Sequence, residues 1–339
     1  MQKIFSLVIA LAFLFLLTSL SFAVVTPGGT VQVWYQAAND KTLSGNQSNS
    51  TFRFDYLALT LNADIDPTNG IFSDIRFYQV AKNTGNSTDI RLNNAYYYGK
   101  GLLSDNDELD IGYIKLPFYN STYNALFVGS LSYNARPQNS VGISYSGKLN
   151  TFTYALAVAN AANKANYNSP SATEGVDLTL RLGYTPIDPL QIGLGYSKDK
   201  ANNNNTTDLS VLDAAYTIGA FRIYTEYVAL TPEAKDDLSG AYFEGSYQVV
   251  KPILVYAGRA VNISDGGNNG QQLIQYINSK TGINISGGPG GNNFSLSDNW
   301  TLFGVKYQIG PQVTLQGEFL QQDSPKAKWI FGLRSSIKF

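Results

Sequence analysis

Residues 176–197 read VDLTLRLGYTPIDPLQIGLGYS, and this stretch decides the fold. In its first half Val176, Leu178, Leu180, Leu182 and Tyr184 fall at every second position, with Asp177, Thr179, Arg181 and Gly183 between them. In its second half Leu190, Ile192, Leu194 and Tyr196 alternate with Gln191, Gly193 and Gly195. A period of two means strands with one apolar and one polar face. The proline-bounded PIDP between them is a tight turn, so the two runs form an antiparallel hairpin.

Outward from this hairpin the two-residue period recurs along the whole chain, and a helical period is almost missing. Strands are expected near residues 30–37, 51–63, 71–80, 90–98, 107–116, 139–147, 151–160, 176–185, 190–197, 208–217, 220–230, 240–249, 252–261, 300–309, 312–321 and 328–339. Their connections alternate between short turns (GKLN, PIDP, IGA, VKP, GPQ) and long polar stretches such as NDKTLSGNQSNS, AANKANYNSPSATEG and residues 262–299. Sixteen strands with one rim of tight turns and one of long loops are the layout of an all-β, closed antiparallel transmembrane barrel. A soluble sandwich would also alternate, but it would place polar residues where this chain has Leu, Ile, Val and Tyr on one face of nearly every strand.

The N-terminus and composition agree with export to an outer membrane. Lys3 is the only charge before Asp40, residues 4–17 form a low-polarity run, and Ser21 and Ala23 are small. Residues 1–23 therefore read as a cleaved signal peptide and 24–339 as the barrel domain. Charged residues make up 14% of the chain, against roughly 25% in ordinary globular domains. The formal net charge is −1, so no basic footprint exists for nucleic acid. The chain has neither Cys nor His, which excludes thiol and histidine-based catalytic triads and His-ligated zinc. No catalytic residue, metal or cofactor is expected, and the chain does not read as an enzyme.

Tyrosine precedes one tight turn after another, at Tyr145, Tyr184, Tyr216, Tyr247 and Tyr307, each on the apolar face of its strand. Such a ring marks a membrane–water interface. The chain ends WIFGLRSSIKF, and Phe339 falls in the same girdle with Trp329, Phe331, Leu333 and Ile337 in its phase. A strand ending there is expected to pair with the first strand (30–37), because an unpaired edge is not tolerated in hydrocarbon.

Residues 136–160, RPQNSVGISYSGKLNTFTYALAVAN, resemble the segment of Gram-negative general porins that leaves the third loop and enters the next hairpin. The ending on Phe339 is similar to the signal read by the barrel-assembly machinery. The resemblance is to trimeric sixteen-stranded porins. It implies an outer-membrane homotrimer surrounded by lipid, with a water-filled pore for passive diffusion of small hydrophilic solutes and ions. In that family the third loop folds inward as a constriction, which here corresponds to residues 116–137, with Phe118, Tyr119, Tyr123, Phe127, Tyr133 and Arg136. Its apolar content suits burial on an inner wall better than exposure to bulk water. The loop departs from the family in carrying no Asp or Glu.

Strand phase places fourteen charges inside: Asp74, Arg76, Arg91, Glu108, Asp110, Asp177, Arg181, Asp213, Arg222, Glu226, Glu244, Lys306, Glu318 and Arg334. Eight are acidic and six basic, so weak selectivity with a mild cation lean is expected. Asp74/Arg76 and Asp177/Arg181, each on one face of a strand, are expected to neutralise each other. The alternative function is a sugar-selective channel in which the loop aromatics form a stacking track. Within the long extracellular loop 262–299, Leu273, Ile274 and Ile277 at helical spacing predict a short amphipathic helix.

Overall fold

A computed structural model describes residues 24–38, 50–82, 85–119, 123–126, 131, 139–160, 176–200, 206–232, 237–263, 299–323 and 329–339. The expected signal peptide, the helix within 262–299, and Phe127, Tyr133 and Arg136 lie outside the described residues.

The described chain forms sixteen strands. These are β1 (Val24–Ala38), β2 (Ser50–Asp64), β3 (Asn69–Lys82), β4 (Gly85–Lys100), β5 (Asp107–Lys115), β6 (Asn139–Leu149), β7 (Phe152–Asn160) and β8 (Val176–Ile187). They continue as β9 (Leu190–Lys200), β10 (Thr206–Ile218), β11 (Phe221–Pro232), β12 (Leu238–Val250), β13 (Ile253–Asn262), β14 (Trp300–Ile309), β15 (Val313–Gln322) and β16 (Trp329–Lys338). Each pairs antiparallel with its chain neighbours, and β1 pairs with β16 to close the barrel.

The two faces of the sheet are inverted relative to a water-soluble protein. On β8, Leu178 and Leu182 are 42% and 45% exposed on the outer face, while Asp177 and Thr179 on the inner face are fully buried. A run of exposed apolar side chains along the outer face is stable only where hydrocarbon, not water, is the outer solvent.

The seam is completed by the last residue. Residues Thr30 to Ala38 pair with Lys338 to Ile330. Beyond them the Phe339 N–H donates to the Gly29 carbonyl at 3.1 Å, and the Gly29 N–H donates to the Phe339 carbonyl at 2.9 Å. The Phe339 ring lies over Gly29, where a Cβ would come within 2.8 Å of its Cε2. Only glycine leaves room for the ring.

Several strand boundaries differ from the sequence expectation, most of all in β1, β3 and β4. β1 starts at Val24 rather than residue 30, because Val24 to Gly28 pair with β2 alone. Pro27 is accommodated in that one-sided stretch, where its missing N–H removes no second ladder bond. β3 and β4 stay paired out to Lys82 and Gly85, beyond the expected bounds at 80 and 90. With 16 residues, β4 spans ~50 Å, about twice the ~25 Å apolar band of such barrels. Its polar end therefore extends past the membrane as strand.

The interior is not uniformly polar either. The phase that turns Asp213 inward also turns in Leu209, Val211 and Ala215 of β10. With Val228 and Leu230 of β11, Ala260 of β13, Trp300 and Leu302 of β14 and Leu320 of β15, they form one buried apolar cluster. Ile114, Leu116, Phe118 and Leu131 complete it, so the segment after β5 is what covers this wall.

Candidate functional site

Leaving β5, the chain places Leu116 and Phe118 fully buried in the cluster, with the Phe118 and Tyr119 rings edge-on at 5.1 Å. Ala125 is buried there as well, and Tyr123 packs against it partly exposed. The described residues of this segment, 116–119 and 123–126, are not paired as strand, so their backbone N–H groups need acceptors. The Asn124 N–H donates to both Glu244 carboxylate oxygens at 3.0 Å, its Nδ2 donates to Oε1 at 2.8 Å, and the Ala125 N–H donates to Oε2 at 3.1 Å. The Leu126 N–H donates to Glu318 Oε2 at 2.6 Å. Gln316 Nε2 closes the set by donating to the Asn124 carbonyl at 2.6 Å.

Glu244 lies on β12 and Glu318 on β15, whereas the strand neighbours of β5 are β4 and β6. Each carboxylate is steadied from its own wall. The Tyr242 hydroxyl donates to Glu244 at 2.7 Å and the Tyr256 hydroxyl to Glu318 at 2.8 Å. Charge-assisted bonds of this kind are about twice as strong as neutral ones.

Two glycines in the opening hairpin acquire a reason. At Gly195 a Cβ would run into the Phe118 carbonyl oxygen, so glycine lets the segment's backbone rest against β9. At Gly193 a Cβ would lie 2.8 Å from both Asp213 carboxylate oxygens. The Arg181–Asp213 ion pair, 2.7 Å long, bridges β8 to β10 across this glycine. Arg181 therefore pairs with Asp213 and not with Asp177, as the same-face spacing had indicated. The barrel's packing decides: Asp213 is reachable because the strand between carries no side chain.

All fourteen charges lie on the inner face of their strands, but their surroundings differ by sign. Asp74, Asp177, Asp213, Glu226, Glu244 and Glu318 are buried. Asp74 binds Arg76 at 3.0 Å and accepts from Asn93 Nδ2 at 2.7 Å; Glu226 accepts from the Tyr224 hydroxyl at 3.1 Å. Glu108 and Asp110 remain partly exposed near the β4–β5 turn, with Lys100 at 3.9 Å from Glu108.

None of the six basic residues is buried, and Arg91 is exposed. Arg76 lies over the Tyr56 ring at 4.9 Å, Arg91 over Tyr78 at 5.2 Å and Arg334 over Trp34 at 5.6 Å. The Tyr56 and Tyr78 rings are 5.7 Å apart, which joins these stacks along the wall of β16 and β1 to β4. Arg222 sits over Tyr224 at 5.9 Å, and Lys306 is half-buried on β14. Sequence reasoning missed the aromatic platforms. Trp34 is flanked by Tyr35, so aromatic residues on both faces hid the phase of β1.

The girdle positions Tyr184, Tyr216, Tyr247, Tyr307 and Phe339 are exposed on the outer face. Tyr145 shares that face, and its hydroxyl donates to Asp107 at 2.6 Å. Phe152 stacks on Tyr184 at 4.6 Å and Tyr154 lies 5.9 Å from Tyr145, adding two aromatics that the sequence pattern had not singled out. Among the described residues, no three side chains of metal-ligating type converge.

The sequence model of one family, described as Gram-negative porin, matches residues 8–327. No curated protein sequence matches the chain. Among solved structures it is similar to a loop-deletion form of OmpT, an outer membrane protein of Vibrio cholerae, at 15% identity and a TM-score of 0.59, covering 94% of this chain and 99% of that one. A mutant of the Rh. blastica porin matches at 11% identity and a TM-score of 0.62, covering 93% and 100% of the two chains. The anion-selective porin from Comamonas acidovorans matches at 12% identity and a TM-score of 0.61, covering 94% and 100%. At such identities the likeness is one of fold.

Proposed function

Because this chain belongs to the Gram-negative porin family, we propose that it lets small hydrophilic solutes and ions diffuse passively across the outer membrane, with residues 116–137 setting the size limit. The protein is an outer-membrane channel rather than an enzyme. The observation that carries the finer reading is the attachment of Asn124, Ala125 and Leu126 to Glu244 and Glu318. A segment leaving β5 can reach carboxylates on the inner faces of β12 and β15 only across the lumen. It fills the side of β9 to β15 with an apolar core and leaves water the side of β16 and β1 to β4.

Transport through such a gap needs no energy input and no conformational cycle. Solutes are sorted by cross-section, and their flux follows the gradient. Of the five aromatics that the sugar-stacking alternative invokes, Phe118 and Tyr119 are buried against the wall, which favours a general pore. The outward tyrosines and Phe339 sit against outer-membrane lipid, residues 1–23 act as the export signal, and the paired Phe339 end is presented to the barrel-assembly machinery. The working unit is a homotrimer, a form in which Vibrio cholerae OmpT is described.

Liposome swelling with a graded series of neutral sugars tests the proposal. Swelling rates falling with molecular size, irrespective of sugar identity, are expected. Saturable permeation of one sugar at micromolar concentration would overturn the general-pore reading.

A further inference from the structure

We propose that the outer face of β13 to β16 binds one lipid acyl chain, from the leaflet on the long-loop side, in a slot that opens over Gly317. The site lies on the lipid-facing wall and is independent of the channel reading, which concerns the lumen alone.

The first observation is the slot itself. A cavity of ≈ 370 Å³ lies against Val255, Phe303, Val305, Gly317, Phe319 and Phe331, and its lining is almost wholly apolar. The five side chains are exposed on the outer face, Phe303 by 57%. Tyr256 and Glu318 border it as well, but the Tyr256 hydroxyl is bonded to Glu318 on the lumen side, so neither brings a polar head into it. Gly317 makes the slot. It pairs with Val305 on β14 and Leu333 on β16, and Leu315 and Phe319 flank it on the same face of β15. All four neighbours carry large side chains, whereas a Cβ at Gly317 would meet no atom closer than 3.9 Å. Unfilled space of this kind forfeits the dispersion contacts of its walls.

The second observation selects the occupant. One benzene ring fills an apolar cavity of about 150 Å³, so a single side chain from a second copy would leave more than half of this slot empty. A flexible acyl chain adapts to the whole of it. The third observation is the position. Phe303, Phe319 and Phe331 are directly paired across β14, β15 and β16, one outward position from Gly317 towards the long loops. Trp329 stacks on Phe319 with ring centroids 6.0 Å apart. At the next outward position the face turns polar. Arg259, Thr301 and Gln321 are paired in one row, where Arg259 donates to Thr301 Oγ1 at 3.2 Å and is ion-paired with Asp323. This row stands ~13 Å along the strand from Gly317, at the border between hydrocarbon and headgroups. A chain descending from that border passes the aromatic row and enters the slot.

The test reads tryptophan fluorescence. The chain has three tryptophans; Trp34 and Trp300 are buried, and Trp329 is partly exposed on the outer face beside the slot. The folded barrel, purified in detergent, is titrated with a phosphatidylcholine brominated on its acyl chains, which quenches a tryptophan on contact. Saturable quenching by one lipid per barrel is expected, reversed by the same lipid without bromine. Gly317→Leu fills the slot and abolishes the saturable phase, leaving quenching in simple proportion to added lipid. Phe303→Ala opens the β14 wall, away from Trp329, and raises the half-saturating lipid several-fold; it carries the test should Gly317→Leu not fold. Val158→Leu, on the outer face of β7, leaves the titration unchanged. Quenching in the wild type that never saturates would overturn the site, as would equal saturation in wild type and Gly317→Leu, which would mean a lipid bound elsewhere. Oligomers that dissociate in Gly317→Leu, beside a wild type without saturable quenching, would give the slot to a second copy and overturn the proposal.

Discussion

Replacing Glu244 by alanine should loosen the segment that narrows the barrel while leaving the barrel itself intact. The side chain accepts from the Asn124 and Ala125 backbone N–H groups, from Asn124 Nδ2 and from the Tyr242 hydroxyl. No strand can replace it as acceptor for the two backbone donors. Leaving each unsatisfied costs ~1–3 kcal/mol, so their joint loss weakens docking by ~2–6 kcal/mol. At 1.4 kcal/mol per decade, the docked-to-undocked ratio falls by roughly 30-fold or more.

Single-channel recording reads this as a larger mean conductance with more open-channel noise, and sugar swelling assays read it as a higher size limit. Glu244→Gln should be intermediate, because its amide oxygen still accepts for Asn124 while its NH2 group confronts the Ala125 N–H. Glu244→Ala and Glu318→Ala should be non-additive, since both hold residues 124–126. The reasoning is refuted if Glu244→Ala yields a folded, heat-modifiable barrel whose conductance, noise and size limit equal those of the wild type.

Three further outcomes follow from other parts of the structure. Gly195→Val places a side chain against the Phe118 carbonyl; at ~1–3 kcal/mol of overpacking, it should enlarge the conductance without unfolding the barrel, as checked by bilayer recording beside a heated and unheated gel. Deleting Phe339 removes two seam hydrogen bonds, so the barrel should convert to its unfolded gel form at a lower temperature than the wild type. In the β2–β3 turn, hydrogen bonds from Asn69 and Thr68 hold the Asp66 carboxyl below its ordinary value. A depressed folded-state pKa stabilises above the unfolded value, ~3.9 for Asp, and the gain is lost as pH falls through the lowered one. Asp66→Ala should therefore be less resistant to urea than wild type at neutral pH and equal to it in strong acid.

The strands were legible because their outer face repeats one residue class at period two, as Leu178, Leu180 and Leu182 do, and lipid demands that repeat along the whole height. The seam was legible for the same reason, since the phase of Phe331 and Leu333 runs on to Phe339. What the interior does with its polar residues was not legible. Its side chains meet partners chosen by strands far apart in sequence, so Arg181 finds Asp213 over Gly193 rather than Asp177 beside it. Glu244 and Glu318 read as ordinary lumen charges because nothing local to them reveals that backbone amides more than a hundred residues earlier need acceptors. Inward Leu209 and Val211 carried a signal that was overlooked: apolar residues in the phase of Asp213 imply that something covers them. The extent of β3 and β4 was hidden because polar residues at a strand end look like loop whenever the strand outruns the membrane.

Current through a lipid bilayer tests the central claim most directly. The purified mature barrel should insert from detergent and produce stepwise, ohmic conductance increments at low voltage, with each step larger in Glu244→Ala. A correctly folded barrel that inserts and passes no current would contradict a water-filled interior.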